Sequence, residues 1–389
     1  MTTHRLSARL VLRLCAAWLG ILPLVATGAR AQDAALNVMA QVQGESLFQQ
    51  SGAVGMVMAV VRGESTAVVG FGETAQGNGR KPDGRTVVRI GSISKAMTGQ
   101  ILADLVVDGV VRLTDPIQSL LPQGRTAPSF ANRPITLLDL ATHTAGFPRD
   151  YEPDEDPKLV GNPYPYLTPE RYLDYLQKYR LPYAPGRVAS YSNYGFGLLG
   201  HLLGRASGTS YGTLVADRIA RPLAMTDTTT ALRAEQRARF MAGYDADNTP
   251  AEPWDGSEVM QGSGGVFSTA DDMARWLRYN LAIGSGPRGA ARTLAHSMYR
   301  SRQSLDAVIA LDGSLPVGGL GLGWEINLPT DRTPLLIQKT GGFSGFLSYA
   351  VFVPGRGLGA FVVINRMDLA AFMKLLNGVN GMLSALAPR

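Results

Sequence analysis

The chain has 389 residues, 45% of them hydrophobic and 17% charged, which is the composition of an ordinary globular protein long enough for two lobes. Its formal charge of +6 includes Arg5, Arg9, Arg13 and Arg30 within the first 31 residues; without them the balance is +2, which gives no argument for nucleic acid. The one cysteine, Cys15, lies in the same stretch, so the rest of the chain has no disulfide or thiol chemistry.

Residues 1–31 read as a signal peptide. A basic start leads into an apolar run from Leu14 to Ala26, and Ala29-Arg30-Ala31 is an A-x-A processing site. The run is short and interrupted by Pro23, unlike a membrane span. Leu12-Arg13-Leu14 before Cys15 is not a lipoprotein signal. Cleavage after about Ala31 and export to a bacterial periplasm are expected.

Ala53 to Val61 and Thr66 to Phe71, separated by Arg62-Gly63-Glu64, predict a β-hairpin. Gly77 to Arg85 is a polar, glycine-rich loop. The apolar run Val87-Val88-Arg89-Ile90 then stops at Gly91, and Ser92 opens a helix that ends near Asp108, with Gly109 as the stop. From Leu113 to Leu281 the pattern predicts helices and long loops without strands. Thr136 and Asp139 begin a helix that ends near His143, and Thr168-Pro169-Glu170 begins another. Between them, residues 147–167 form a surface excursion at the rim of a cleft. Gly195 to Ala206 and Thr209 to Ile219 read as helices, and Ser268-Thr269 caps one that buries Met273, Trp276 and Leu277.

After Leu320 the pattern becomes that of strands, over 322–328, 335–340, 346–353 and 358–364. Leu369 to Leu386 closes the chain as an amphipathic helix. The fold class is therefore α/β plus all-α. An antiparallel sheet from both chain ends, flanked by helices, forms an α/β lobe over 32–112 and 285–389, and 113–284 forms an inserted helical lobe.

Three motifs carry chemistry. Ser92-Ile93-Ser94-Lys95 puts a lysine one helical turn beyond a serine at a helix start, where N–H groups and the dipole favour negative charge. Tyr191-Ser192-Asn193 lies between a Pro-Gly turn and a helix, and Lys339-Thr340-Gly341-Gly342 ends a strand. Each alone is a common tripeptide or tetrapeptide; their weight is in occurring together and in this order. A serine hydroxyl needs a proton acceptor. Two lysines converging on Tyr191 favour its phenolate, so Tyr191, Lys95 or the pair serves as base. Asn193 can donate to a substrate amide, and Lys339 and Thr340 can hold a carboxylate. The Ser92 N–H and one near Gly342 can form an oxyanion hole, with the glycines letting a substrate lie against the strand.

With these motifs the chain resembles the serine penicillin-recognising enzymes, the class C β-lactamases and low-molecular-mass D,D-peptidases. Leu137 to Gly146, Arg221 to Thr228, Gly262 to Trp276 and Lys339 to Pro354 carry the likeness further, over about residues 40–385. Within the family it is most similar to the AmpH-type carboxypeptidase/endopeptidases, on Phe71-Gly72-Glu73-Thr74, Phe147-Pro148-Arg149 and Ile337-Gln338. The resemblance implies a β-lactamase/transpeptidase-like fold. It also implies an acylated Ser92 partnered by Lys95, Tyr191 as base and Lys339 as carboxylate receptor. Class C β-lactamases carry a glutamine in the loop after the segment matching Thr142 to Gly146; Phe147-Pro148-Arg149-Asp150-Tyr151 has none, which weighs against efficient β-lactam hydrolysis.

The expected partners are peptidoglycan peptides and β-lactams, with no nucleic acid, metal or cofactor. Peripheral inner-membrane association and oligomeric state stay open, as do an esterase or a slowly turning-over sensor on this fold. His143, His201 and His296 are widely spaced and read as packing or surface residues. Arg149, Asp150, Asp154, Glu155 and Asp156 read either as cleft lining or as a solvated loop.

Overall fold

An eight-stranded sheet carries the architecture. The computed structural model describes residues 22–151, 166–254, 256–311 and 315–387, with side chains from residue 32 onward. The sheet strands are β1 (Gly55–Arg62), β2 (Ser65–Gly72), β3 (Arg300–Ser301), β4 (Gly319–Leu320), β5 (Glu325–Asn327), β6 (Leu336–Phe343), β7 (Phe346–Val353) and β8 (Leu358–Ile364). Their order is β2-β1-β8-β7-β6-β5-β4-β3, and every pairing is antiparallel. Met56 pairs with Ile364, so segments from both ends of the chain meet in mid-sheet, as the sequence predicts.

The principal helices are α1 (Leu22–Ser51), α2 (Ile93–Val107), α3 (Leu137–Ala141), α4 (Pro169–Lys178), α5 (Asn193–Ala206), α6 (Ala270–Leu281), α7 (Gly289–His296) and α8 (Leu369–Leu386). On one face of the sheet, Leu36 and Leu47 of α1 and Phe372, Leu376 and Val379 of α8 share a core with Met58, Val60 and Val362. On the other, Met97 and Ile101 of α2 and Met273 and Trp276 of α6 share a core with Val57, Ala59 and Phe361. Both faces are covered, so β1 reads as a continuous apolar run rather than an alternating one. Each fully buried side chain of this kind contributes about 1.5–3 kcal/mol.

Several expectations need correction. The sequence reading gives no element to 32–52, yet α1 extends from Leu22 to Ser51, across the expected cleavage point. Its buried residues Leu36, Ala40 and Leu47 form a stripe too sparse to stand out among polar neighbours. Residues 1–21 of the expected leader lie outside the described residues, as do 152–165 of the rim segment with Asp154, Glu155 and Asp156.

The stretch read as strand-free holds short ladders. Val188–Ser190 pairs with Ala307–Ile309, Phe267–Ser268 with Val88–Arg89, and Tyr244–Asp245 with Arg366–Met367. At two or three residues each they are too short to show period two, but they tie the inserted segment to both ends of the chain. The predicted helix over 209–219 is Tyr211–Val215, capped by Ser210 and continued by a π-helical turn over Ala216–Ala220. Ala270–Leu281, placed in the inserted lobe by sequence position, packs on the sheet because its Met273–Trp276–Leu277 stripe needs a broad apolar surface.

Candidate active site

Gly91 sets the nucleophile turn. Its φ is +51°, and a Cβ there would come within 2.6 Å of the Gly342 nitrogen, so glycine lets the start of α2 abut β6. Ser348 Oγ on β7 donates to the Ile90 carbonyl at 2.8 Å and pins the turn to the sheet. Ser92 precedes α2 with a helical backbone, and its hydroxyl makes no capping bond. Its oxygen accepts instead from the Tyr191 hydroxyl at 2.6 Å and from Lys95 Nζ at 3.1 Å.

Lys95 is fully buried. Besides Ser92 it donates to Asn193 Oδ1 at 2.7 Å and to the Ser263 carbonyl at 2.6 Å. Both are acceptors, so two of its hydrogens are committed to holding the site together. Tyr191 is the other side chain on Ser92 Oγ. Lys95 Nζ, Lys339 Nζ and Arg149 Cζ stand 4.8, 5.0 and 4.7 Å from its ring centroid, and these cations stabilise negative charge on the phenol.

His143 stacks on Tyr191 with ring centroids 4.6 Å apart. Its Nδ1 accepts from the Ser192 N–H at 3.0 Å, which places the ring proton on Nε2. Burial, and then Lys339, Lys95 and Arg149, hold its pKa well below the usual imidazole value. His143 is thus a neutral packing residue, and it fixes the Tyr191 ring.

The Tyr191-Ser192-Asn193 segment is fastened to the loop after α3. Ser192 Oγ accepts from the Gly195 N–H at 2.8 Å, capping α5, and donates to the Pro148 carbonyl at 2.6 Å. The Asn193 N–H donates to the Arg149 carbonyl at 2.6 Å. Asn193 Nδ2 donates to Asp150 Oδ1 at 2.8 Å. An aspartate therefore engages this amide in the loop where the sequence lacks a glutamine.

Lys339 on β6 is 1% exposed, and its Nζ lies 3.4 Å from Glu325 Oε1 on β5, itself 3% exposed. Thr340, Gly341 and Gly342 continue β6 beyond the ladder with β5, which ends at Gln338. With Ser92 and Arg149 they line a cavity of about 500 Å³. A larger cavity of about 770 Å³ lies between the β1–β2 turn and the α6–α7 connection, and neither Ser92 nor Tyr191 lines it.

All the motif residues singled out in the sequence thus lie in or beside one site. Glu325, Ser263 and the role of Asp150 were missed. Glu325 had a signal, an acid inside an apolar strand; the Ser263 contribution is a backbone carbonyl and has none.

The family model described as Beta-lactamase matches residues 38–379. The chain belongs to the beta-lactamase family. Among its relatives in the family, D-alanyl-D-alanine-carboxypeptidase/endopeptidase AmpH of Escherichia coli (strain K12) is 36% identical over 343 residues, covering 88% of this chain and 87% of that protein. A beta-lactamase of Pseudomonas fluorescens is 25% identical, covering 83% and 91%. The crystal structure of a beta-lactamase/D-alanine carboxypeptidase from Yersinia pestis complexed with citrate superposes with a TM-score of 0.79 at 35% identity, covering 90% of this chain and 98% of that one. The family resemblance read from the three motifs and the antiparallel sheet built from both chain ends are both borne out.

Proposed function

We propose that this protein is a serine D-alanyl-D-alanine carboxypeptidase/endopeptidase that acts on peptidoglycan peptides through an acyl-enzyme on Ser92. The observation that carries the reading is the 2.6 Å contact of Tyr191 Oη with Ser92 Oγ, beside the buried cations Lys95 and Lys339, in a chain 36% identical to an AmpH.

Ser92 Oγ attacks the carbonyl between the two D-alanines and its proton passes to Tyr191 Oη. The Ser92 N–H and one near Gly342 hold the oxyanion. Tyr191 returns the proton to the leaving amine, and water then releases the acyl group by the reverse relay. Lys95 and Lys339, 4.8 and 5.0 Å from the Tyr191 ring centroid, offset negative charge that develops beside Ser92. Asn193, Thr340, Gly341 and Gly342 align the substrate along β6. The leader expected from the sequence supports export to a periplasm, the compartment that holds peptidoglycan.

The test is mass spectrometry of purified muropeptides incubated with wild type and Ser92→Ala. Loss of terminal D-alanine that depends on Ser92 is expected; unchanged muropeptides would sink the proposal. A class C β-lactamase is the second reading, favoured by the 25% identical Pseudomonas fluorescens relative. Fast nitrocefin turnover with no release of D-alanine would select it.

A further inference from the structure

We propose that the cavity of about 770 Å³ between the β1–β2 turn and the α6–α7 connection is a second, non-catalytic binding site. Its ligand is a phosphate monoester carried on a small apolar body.

The first support is charge. Arg218, Arg275, Arg278, Arg288 and Arg292 line the cavity, against two acids among the described residues, Glu64 and Asp217. Asp217 is taken up by Arg221 at 2.9 Å. Asp104, Asp108 and Asp272 stand behind the wall and do not line it. Asp108 receives Arg218 and Arg288, Asp104 lies 3.8 Å from Arg288 Nε, and Asp272 accepts from Arg275 at 3.0 Å. Arg278 and Arg292 have no carboxylate in ion-pairing range among the described residues. Arg292 is 3% exposed and donates to the main-chain carbonyls of Ala282, Ser285 and Pro287, with its guanidinium 4.5 Å from the Tyr279 ring centroid. Arg278 donates from one terminal nitrogen to Thr66 Oγ1 at 3.2 Å and the Glu64 carbonyl at 3.4 Å. Its Nε and its other terminal nitrogen make no hydrogen bond among the described residues. Neutral acceptors satisfy N–H groups without cancelling a charge, so these two cations keep the wall electropositive.

The second support is shape. The guanidinium groups come from three places: the π-helical turn over Ala216–Ala220, the outer face of α6, and the start of α7. Arg275 and Arg278 are three residues apart on α6 and so share a face. Planar forks converging from several directions suit an oxyanion with several oxygens. A monocarboxylate engages one fork, whereas a phosphate dianion engages two or more. The remaining wall is apolar, built from Pro222, Leu223, Leu281, Ala282 and Pro287. A concave site with an apolar side and convergent charged donors is the usual form of a small-molecule site.

The site is separate from the catalytic one. It shares no lining residue with the cavity beside Ser92. Asp104 and Asp108 lie at the end of α2, and Ser92 lies at its start. Arginines that only fastened the end of α2 would each be matched by an acid, as Arg218 and Arg288 are by Asp108. Arg278 and Arg292 are not matched in that way.

The experiment is calorimetric titration of the full-length protein at constant ionic strength with phenyl phosphate, inorganic phosphate and benzoate. Phenyl phosphate should bind most tightly, because it alone joins a dianion to an apolar ring. Arg278→Gln should weaken it by about 10- to 100-fold. Ser285→Glu, which puts a carboxylate on the exposed rim of the cavity, should weaken it comparably without touching a guanidinium. Thermal melts of both variants should stay near wild type, and Ser92→Ala should bind phenyl phosphate as wild type does. Absence of binding by wild type, or affinity unchanged in both Arg278→Gln and Ser285→Glu, would overturn the site. Loss of binding in Ser92→Ala would also overturn it, by placing the anion in the catalytic cavity. Benzoate or inorganic phosphate binding as tightly as phenyl phosphate would overturn the assigned ligand class.

Discussion

Lys339 Nζ and Glu325 Oε1 face each other at 3.4 Å across the β5–β6 ladder, both side chains almost wholly buried. Removing one charge from such a pair leaves the other without compensation in a low-dielectric site. Glu325→Gln is therefore expected to lower stability by about 3–5 kcal/mol. Replacing both, as Glu325→Leu with Lys339→Met, should recover most of that loss while abolishing activity, because Tyr191 then lacks one of its cations. Urea denaturation of the single and double variants checks this. A double variant as unstable as Glu325→Gln would show that the pair is not the source of the loss.

Tyr191 and Lys95 should separate by what their loss affects. Tyr191→Phe keeps the ring on His143 and deletes only the oxygen beside Ser92. Acylation by a fluorescent penicillin should slow by about 10²- to 10⁴-fold with the stability of the fold little changed. Lys95→Met removes the donor to the Ser263 carbonyl and Asn193 Oδ1 as well. Leaving such groups without a donor costs about 1–3 kcal/mol each, so this variant should lose stability as well as rate. Stopped-flow labelling and thermal melts together distinguish the two patterns.

What could be read from the sequence was what is local along it. Ser92 and Lys95 share one helical turn, and β6, β7 and β8 are continuous apolar runs punctuated by glycine and proline, so motif and strand were both visible. Pairings between distant segments were not. Asp150 and Asn193 lie far apart in the chain and meet only because the Arg149 carbonyl receives the N–H groups of α5. The carbonyl of Ser263 supports Lys95 through a backbone atom that any residue possesses. The short ladders at Val188–Ser190 and Phe267–Ser268 owe their existence to partners elsewhere in the chain rather than to their own composition.

Asp150 holds the Asn193 amide from the side opposite Lys95. With Asp150→Ala, the amide keeps its bond to Lys95 but loses the one that fixes its nitrogen. A net hydrogen bond is worth about 0.5–1.5 kcal/mol, so acylation should slow by roughly 2- to 10-fold. Asp150→Asn retains an acceptor at the same place and should stay near wild type. Equal rates for the two variants would mean that the negative charge, rather than the hydrogen bond, is what Asn193 needs.

The protein should lose stability in acid through its buried histidines. His296 Nε2 is hydrogen-bonded to Asn280 Oδ1 at 2.8 Å, and burial, assisted by Arg292, lowers its pKa to about 3. His143 is likewise held well below the usual value. Unfolding frees both to bind a proton below about pH 6.5. The unfolded state then carries more protons than the folded one, so stability falls as pH drops through that point. Each histidine accounts for about 1.4 kcal/mol per pH unit. Asp104 acts in the opposite sense. Burial raises its pKa to about 6 against the pull of Arg288, so between that value and the ordinary aspartate value of 3.8 the folded state keeps a proton that the unfolded state has released. Of these three groups, the net slope from about pH 6 to 4 is therefore that of one proton, about 1.4 kcal/mol per unit, rather than two. Asp104→Asn should steepen the loss toward about 2.7 kcal/mol per unit, and His296→Gln should flatten it. Urea midpoints measured at about pH 7.5, 6 and 4.5 give the slope directly, and slopes unchanged by both substitutions would exclude these groups as its cause.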